Sequence, residues 1–161
     1  MAILKIITNP HQTLRTKAEV IDLKDLKNLQ DFIHDMKKTM IKKDGLGLAA
    51  NQVNVPKRLF IINTKDGPLA IINPTLHNKS FAKQWSEEGC LSIPNTYGQV
   101  KRHHHLIVKG FDQKGKKLQM KVEGLFARIV QHEVDHLDGI LFIDKAKKIV
   151  THESKNIYED L

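Results

Sequence analysis

Apolar residues recur at steps of three and four between about 22 and 43, where Leu26, Leu29, Ile33, Met36 and Met40 form one stripe. That spacing predicts an amphipathic helix. Asp22 and Asp25 open it, and Lys37, Lys38, Lys42 and Lys43 close it, the order that suits a helix dipole. Gly45 supplies a stop. From about 55 to 122 the pattern changes to short apolar and alternating runs. Arg58 to Thr64 is apolar and β-branched, and Asp66-Gly67-Pro68 turns the chain. Leu69 to Asn73 is a second short strand, expected to end at Pro74. Val100 to Phe111 reads as one loosely alternating strand, with a hairpin turn at Asp112–Gly115 leading into Lys117–Val122. A second helix is expected from about 124 to 138, stopped by Gly139. The stretch after Lys147 is polar and reads as a fraying tail of about 148–161. A helix, then antiparallel or mixed strands, then a helix makes an α+β domain.

The chain's 161 residues suit a single domain, 1–161. Hydrophobic residues at 40% and charged residues at 27% point to a globular fold rather than disorder. No apolar run approaches the ~20 residues of a membrane span, so no membrane partner is expected. The first residues, Met1 to Thr8, carry no secretory pattern. One cysteine, Cys90, excludes an internal disulfide and a CxxC redox pair, and fits a reducing compartment. The net charge is +8. Part of it lies in 101–121, where Lys101, Arg102, Lys109, Lys114, Lys116, Lys117 and Lys121 face one acid, Asp112. That stretch reads as a solvated hairpin with lysines guarding its edges. The alternative is a patch that meets an RNA-rich partner. His103-His104-His105 reads as surface, because consecutive strand residues face opposite ways.

The second helix carries His132-Glu133-Val134-Asp135-His136. Residues four apart on a helix are ~40° apart around its axis, so both imidazoles project from one face and can share a cation. Glu133 lies beside them, within reach of a water on that ion. A surface helix with scattered His and Glu is the plain alternative. Two ligands make a poor site. The extended pattern HExxHxxGxxH fails here, because position 142 is Phe142. Glu153 is available for a zinc-peptidase arrangement but sits in the polar tail. Cys90 offers a thiolate. A lone cysteine is more often a buried small hydrophobe, yet Glu87-Glu88-Gly89-Cys90-Leu91-Ser92 is not an apolar core stretch.

Gly45-Leu46-Gly47-Leu48-Ala49-Ala50-Asn51-Gln52 fits the relaxed dinucleotide pattern GxGxxA but follows a helix instead of opening one. It lacks the Gly-Lys-Ser/Thr of a phosphate loop. Together with Glu88–Ser92 and Gln131–His136, in that order, it resembles the peptide deformylase family, and the resemblance runs to about Asp144.

The resemblance implies an α+β fold whose metal-binding helix packs among antiparallel sheets. It implies removal of the N-formyl group from the initiator methionine of nascent chains in a bacterial-type cytoplasm, with release of formate. Cys90, His132 and His136 would ligate one divalent metal, Fe²⁺ in the family's usual case, with Zn²⁺, Ni²⁺ or Co²⁺ as substitutes. Glu133 would be the acid–base group, with the Gln52 amide and the Leu91 N–H as oxyanion donors. Leu46, Leu125 and Ile129 would wall the methionine pocket, Leu46 and Gly89 would offer backbone contacts to an extended peptide, and Gly47 would also bind substrate. Glu88 would pair with Arg102. Ser86 and Arg128 depart from the family, standing where apolar residues are usual. The short tail of mixed charge departs too, which leaves the 101–121 patch as the surface for any ribosome association.

Overall fold

The computed structural model describes residues 2–152. Among these residues, eight strands form two antiparallel sheets. Strands β1 (Gly47–Ala49), β2 (Leu59–Thr64), β3 (Gly67–His77), β6 (His105–Phe111) and β7 (Lys117–Glu123) make a five-stranded sheet in the order β1-β2-β3-β6-β7. Strands β4 (Lys83–Cys90), β5 (Ile93–His103) and β8 (Lys147–Thr151) make a three-stranded sheet in the order β4-β5-β8. Two helices, α1 (Gln30–Lys42) and α2 (Gly124–Leu137), complete the frame.

The apolar run in β2 has a physical reason. Successive strand residues point to opposite faces, and both faces of the larger sheet are covered. Phe60 and Ile62 pack with Ile71, Leu106 and Val108 against Ala127, Val130, Val134 and Leu137 of α2. Leu59 and Ile61 pack with Ala70 and Ile72 against Ile33, Met36 and Met40 of α1. A third cluster, Leu14, Ile93, Val100, Leu141 and Phe142, anchors the smaller sheet.

Four expectations need correction. The first amphipathic segment is a 3₁₀ turn over Leu23–Leu29, capped by Asp22, and becomes α-helical only from Gln30. β3 does not end at Pro74. It runs on to His77 through a register break between Ile72 and Thr75, where proline's missing N–H costs no ladder bond. Asn73, just before that proline, ties the break to the N-terminal segment through its side chain and Ile21. Val100–Phe111 is not one strand. The chain leaves the smaller sheet at His103 and enters the larger at His105, and the Ser80 Oγ accepts from the His104 and His105 N–H groups at the corner. Lys147–Thr151 is a strand paired with β5 rather than a frayed end. Glu153 and the rest of the tail lie outside the described residues.

Three local expectations hold. Gly45 N–H caps α1 by donating to the Met40 carbonyl at 2.9 Å. The Asp112 carboxylate accepts from the Lys114 and Lys116 N–H groups at the predicted hairpin. α2 ends at Gly139, whose φ is +73° and whose missing side chain leaves room for the Arg15 carbonyl, 2.5 Å from where a Cβ would stand. No helix among the described residues is long and apolar enough to cross a membrane.

Candidate metal centre

Strand β4 lies against α2, and their facing residues build the site. Glu88 and Cys90 alternate onto the inner face of β4. Arg128, His132 and His136, spaced by four, share one face of α2. The ligand atoms of Cys90, His132 and His136 all lie within 4.8 Å of one another. The Cys90 Sγ is 3.2 Å from His136 Nε2. The two imidazole rings are 4.9 Å apart at 70° to each other. Phe142, where a third histidine would stand in the longer motif, is a core residue stacked beside the His132 ring.

This donor set fits a divalent cation. A thiolate and two imidazoles suit Zn²⁺, Fe²⁺ and their neighbours. The Nδ1 of His132 is committed to the Glu88 carboxylate at 2.9 Å, which leaves Nε2 free to ligate. In the metal-free protein, burial works against charge on His132, but Cys90, Glu88 and Glu133 outweigh it and raise its pKa to about 10. Burial and the neighbouring His132 hold His136 neutral, well below its usual range. Cation binding therefore expels a proton from this cluster.

Glu88 is the anchor under the ligands. Its carboxylate accepts from Arg102 Nε at 2.9 Å and Nη2 at 3.0 Å, the pairing the family resemblance implies. It also accepts from Arg128 Nη1 at 2.8 Å. Burial alone would raise the Glu88 pKa, but His132 and Arg102 reverse this and hold the carboxyl far below its ordinary range. Arg102 extends the network to Asp135, which Lys145 also contacts. Sequence reasoning did not find the Arg128 bond. Its signal was position: Arg128 lies one helical turn before His132.

Glu133 is buried at the cleft wall, and burial pushes its pKa up to about 7 against the opposing pull of His132. Its Oε2 has no hydrogen-bond partner among the described residues. Gly47 explains how the carboxylate fits. A Cβ there would stand 2.4 Å from Glu133 Oε1, so the β1 backbone lies directly on it. Gln52 is held in one sense: its Oε1 accepts from the Ala49 N–H at 2.9 Å. Its Nε2 donates to Ser92 Oγ at 3.2 Å and stands 3.5 Å from Cys90 Sγ.

A cleft of about 530 Å³ opens over this cluster. It brings together Leu46, Gly47, Gln52, Gly89, Cys90 and Leu91 from one side of the site. Leu125, Ile129, His132 and Glu133 of α2 form the other. Glu88 also reaches it, while His136 is buried behind. Arg102 does not reach the cleft and works through Glu88. Leu46 and Leu125 are 53% and 64% exposed at its lip, an apolar rim suited to a ligand. Among the described residues, the His103–His105 run joins no such cluster. His103 Nδ1 lies 2.6 Å from the Ser80 carbonyl, and His104 Nδ1 lies 3.2 Å from Gln84.

Comparison with known proteins points one way. Residues 3–152 match the family described as Polypeptide deformylase. Peptide deformylase 1 of Bacillus subtilis is 41% identical over 155 residues, spanning 95% of this chain and 96% of that protein. The crystal structure of peptide deformylase from Thermotoga maritima superposes with a TM-score of 0.87 at 35% identity, covering 91% of this chain and 99% of that one. A Met-Ala-Ser-bound peptide deformylase from Acinetobacter baumannii superposes with a TM-score of 0.84 at 33% identity, covering 89% and 98%.

Proposed function

The chain belongs to the peptide deformylase family, a metal-dependent hydrolase removing the N-formyl group from the initiator methionine of nascent polypeptides, and we propose how its own residues divide that work. The convergence of Cys90, His132 and His136 beside a buried Glu133 carries the reading. These three residues would hold the cation, with Fe²⁺ as the proposed occupant and Zn²⁺, Ni²⁺ or Co²⁺ as substitutes that the same donors accept. Bound there, the ion supplies Lewis acidity and brings the pKa of water toward neutrality.

Glu133 receives a proton from the attacking water and passes it to the departing amine nitrogen. A carboxyl whose pKa lies near 7 can serve in both directions. The Gln52 amide and the Leu91 backbone N–H donate to the oxygen that gains charge as the formyl carbon becomes tetrahedral. Gln52 suits this because Ala49 holds its carbonyl end and leaves the NH₂ end facing Cys90. Fixed donors of this kind need no reorganisation during reaction. Leu46, Leu125 and Ile129 receive the methionine side chain. Gly47 and Gly89 line the cleft beside an extended peptide backbone, and a peptide ligand is consistent with the Met-Ala-Ser bound by the Acinetobacter relative. Glu88 and Arg102 position His132.

Anaerobic purification, metal quantitation and formate release from formyl-Met-Ala-Ser test the assignment. Cys90→Ala is expected to lose stoichiometric metal. Glu133→Ala is expected to keep it and lose about 10²–10⁴-fold in kcat. Near-normal turnover in Glu133→Ala refutes the acid–base role. A zinc-peptidase site using Glu153 predicts instead that Cys90→Ala retains its metal.

We further read the enzyme as cytoplasmic and the exposed Lys109, Lys117 and Lys121 on β6 and β7 as its approach to the ribosome. Co-sedimentation with ribosomes that weakens steeply with salt is the expected signature.

A further inference from the structure

Arg128 stands one helical turn before His132 on α2, and its surroundings give it a task. Two hollows meet at this side chain. One is the cleft of about 530 Å³ over the metal centre. The other is a smaller hollow of about 150 Å³, lined by Gln84, Ser86, Arg102, His103 and His104. Among the described residues, Leu125 and Arg128 line both. Leu125 is 64% exposed. Arg128 is buried, and its guanidinium is tied to two strands. Nη1 donates to Glu88 Oε1 at 2.8 Å and to the Val100 carbonyl at 2.9 Å. Nη2 donates to the Gln84 carbonyl at 2.8 Å.

An apolar side chain at this position would be held by dispersion alone and could change rotamer to admit a longer guest. A guanidinium fixed at both nitrogens has no such freedom. We propose that Arg128 is a specificity-determining residue: it is the rigid partition between the two hollows, and it limits the length of the N-terminal side chain that the cleft accepts. The proposal rests on the deformylase reading of the cleft. The competing role is structural, in which Arg128 serves only as a second cation for Glu88.

Formyl peptides of the form formyl-X-Ala-Ser, with X as methionine, norleucine or 2-aminooctanoic acid, separate the two roles. Wild-type kcat/KM is expected to fall at least 10-fold from norleucine to the longer chain, because each misfitted methylene in a fixed pocket costs about that factor. Arg128→Ala joins the hollows, and the fall is expected to shrink below 3-fold. Arg128→Lys keeps the charge but loses the planar, doubly tied head, and the fall is expected to lie between these. A structural role moves kcat/KM for all three substrates together and leaves their ratio unchanged. Should Arg128→Ala fail to fold, the wild-type series and Arg128→Lys still decide. A wild type that deformylates all three lengths alike, or variants that keep the wild-type ratio, overturns this assignment alone. A metal-loaded wild type that releases formate from none of them overturns the deformylase reading.

Discussion

Replacing Glu88 with glutamine is the sharpest probe of the network under the metal ligands. The substitution keeps the shape and removes the charge. Four donors now converge on this carboxylate: Arg102 Nε and Nη2, Arg128 Nη1 and His132 Nδ1, all between 2.8 and 3.0 Å. An amide offers one acceptor oxygen, so its NH₂ must face two of these groups. At the Oε1 position it opposes Arg102 Nε and Arg128 Nη1 with a donor. At the Oε2 position it opposes Arg102 Nη2, forces His132 Nδ1 to become an acceptor and moves the ring proton to Nε2, the atom proposed to hold the metal. Either choice leaves two buried guanidinium groups with less negative charge between them. Breaking a buried ion pair on one side costs about 3–5 kcal/mol, a large part of the ~5–15 kcal/mol by which a domain is stable. With a urea m-value of about 2 kcal/mol/M, the midpoint of the metal-stripped protein should fall by about 1.5–2.5 M. Metal affinity, read by chelator competition, should fall about 10–100-fold through loss of the group that orients His132. A midpoint within about 0.3 M of wild type, with affinity unchanged, would refute the claim that Glu88 organises the site.

Other outcomes follow from the same geometry. Gly47→Ala places a methyl group 2.4 Å from Glu133 Oε1 and must displace it. Formate release should fall about 10²-fold with metal content unchanged, since small misplacements near the chemistry are that costly. Gly139→Ala meets both a φ of +73° and the Arg15 carbonyl. It should destabilise by about 1–3 kcal/mol, visible as a lowered melting temperature with normal turnover at room temperature. In the metal-stripped protein, the Glu88 pKa is held below its ordinary 4.5. Its stabilising contribution is therefore complete above that value and is lost as pH falls below it. The gap between wild type and Glu88→Gln in urea midpoint should narrow below about pH 4.5; a gap that stays constant to lower pH sinks this linkage.

The parts of the fold legible in the sequence were those where one periodicity served one face. α2 was bounded closely because its stripe, its His-Glu-x-x-His face and Gly139 agree. The ligands of the candidate site were legible because residue type and chain order coincide at Cys90, His132 and His136. What escaped depended on partners far along the chain. The strand break at His104 is made by Ser80, which no local pattern connects to it. Lys147–Thr151 carries little apolar signal, because all five residues are exposed and pairing with β5 alone defines the strand. In the sequence Arg128 is only a charge where the family usually has an apolar residue. Its meaning lay in the Val100 and Gln84 carbonyls and a carboxylate forty residues away.

The donor set straddles a seam. Cys90 rides on the small sheet, while both imidazoles ride on the helix packed beneath the large one. An ion seated between them would act as a rivet as well as a reagent. Whatever free energy it gains by gathering these three donors is added to the cohesion of the two layers. Scarcity of metal would thus idle the enzyme and loosen its joint together, with amide hydrogen exchange in β4 and β5 quickening first.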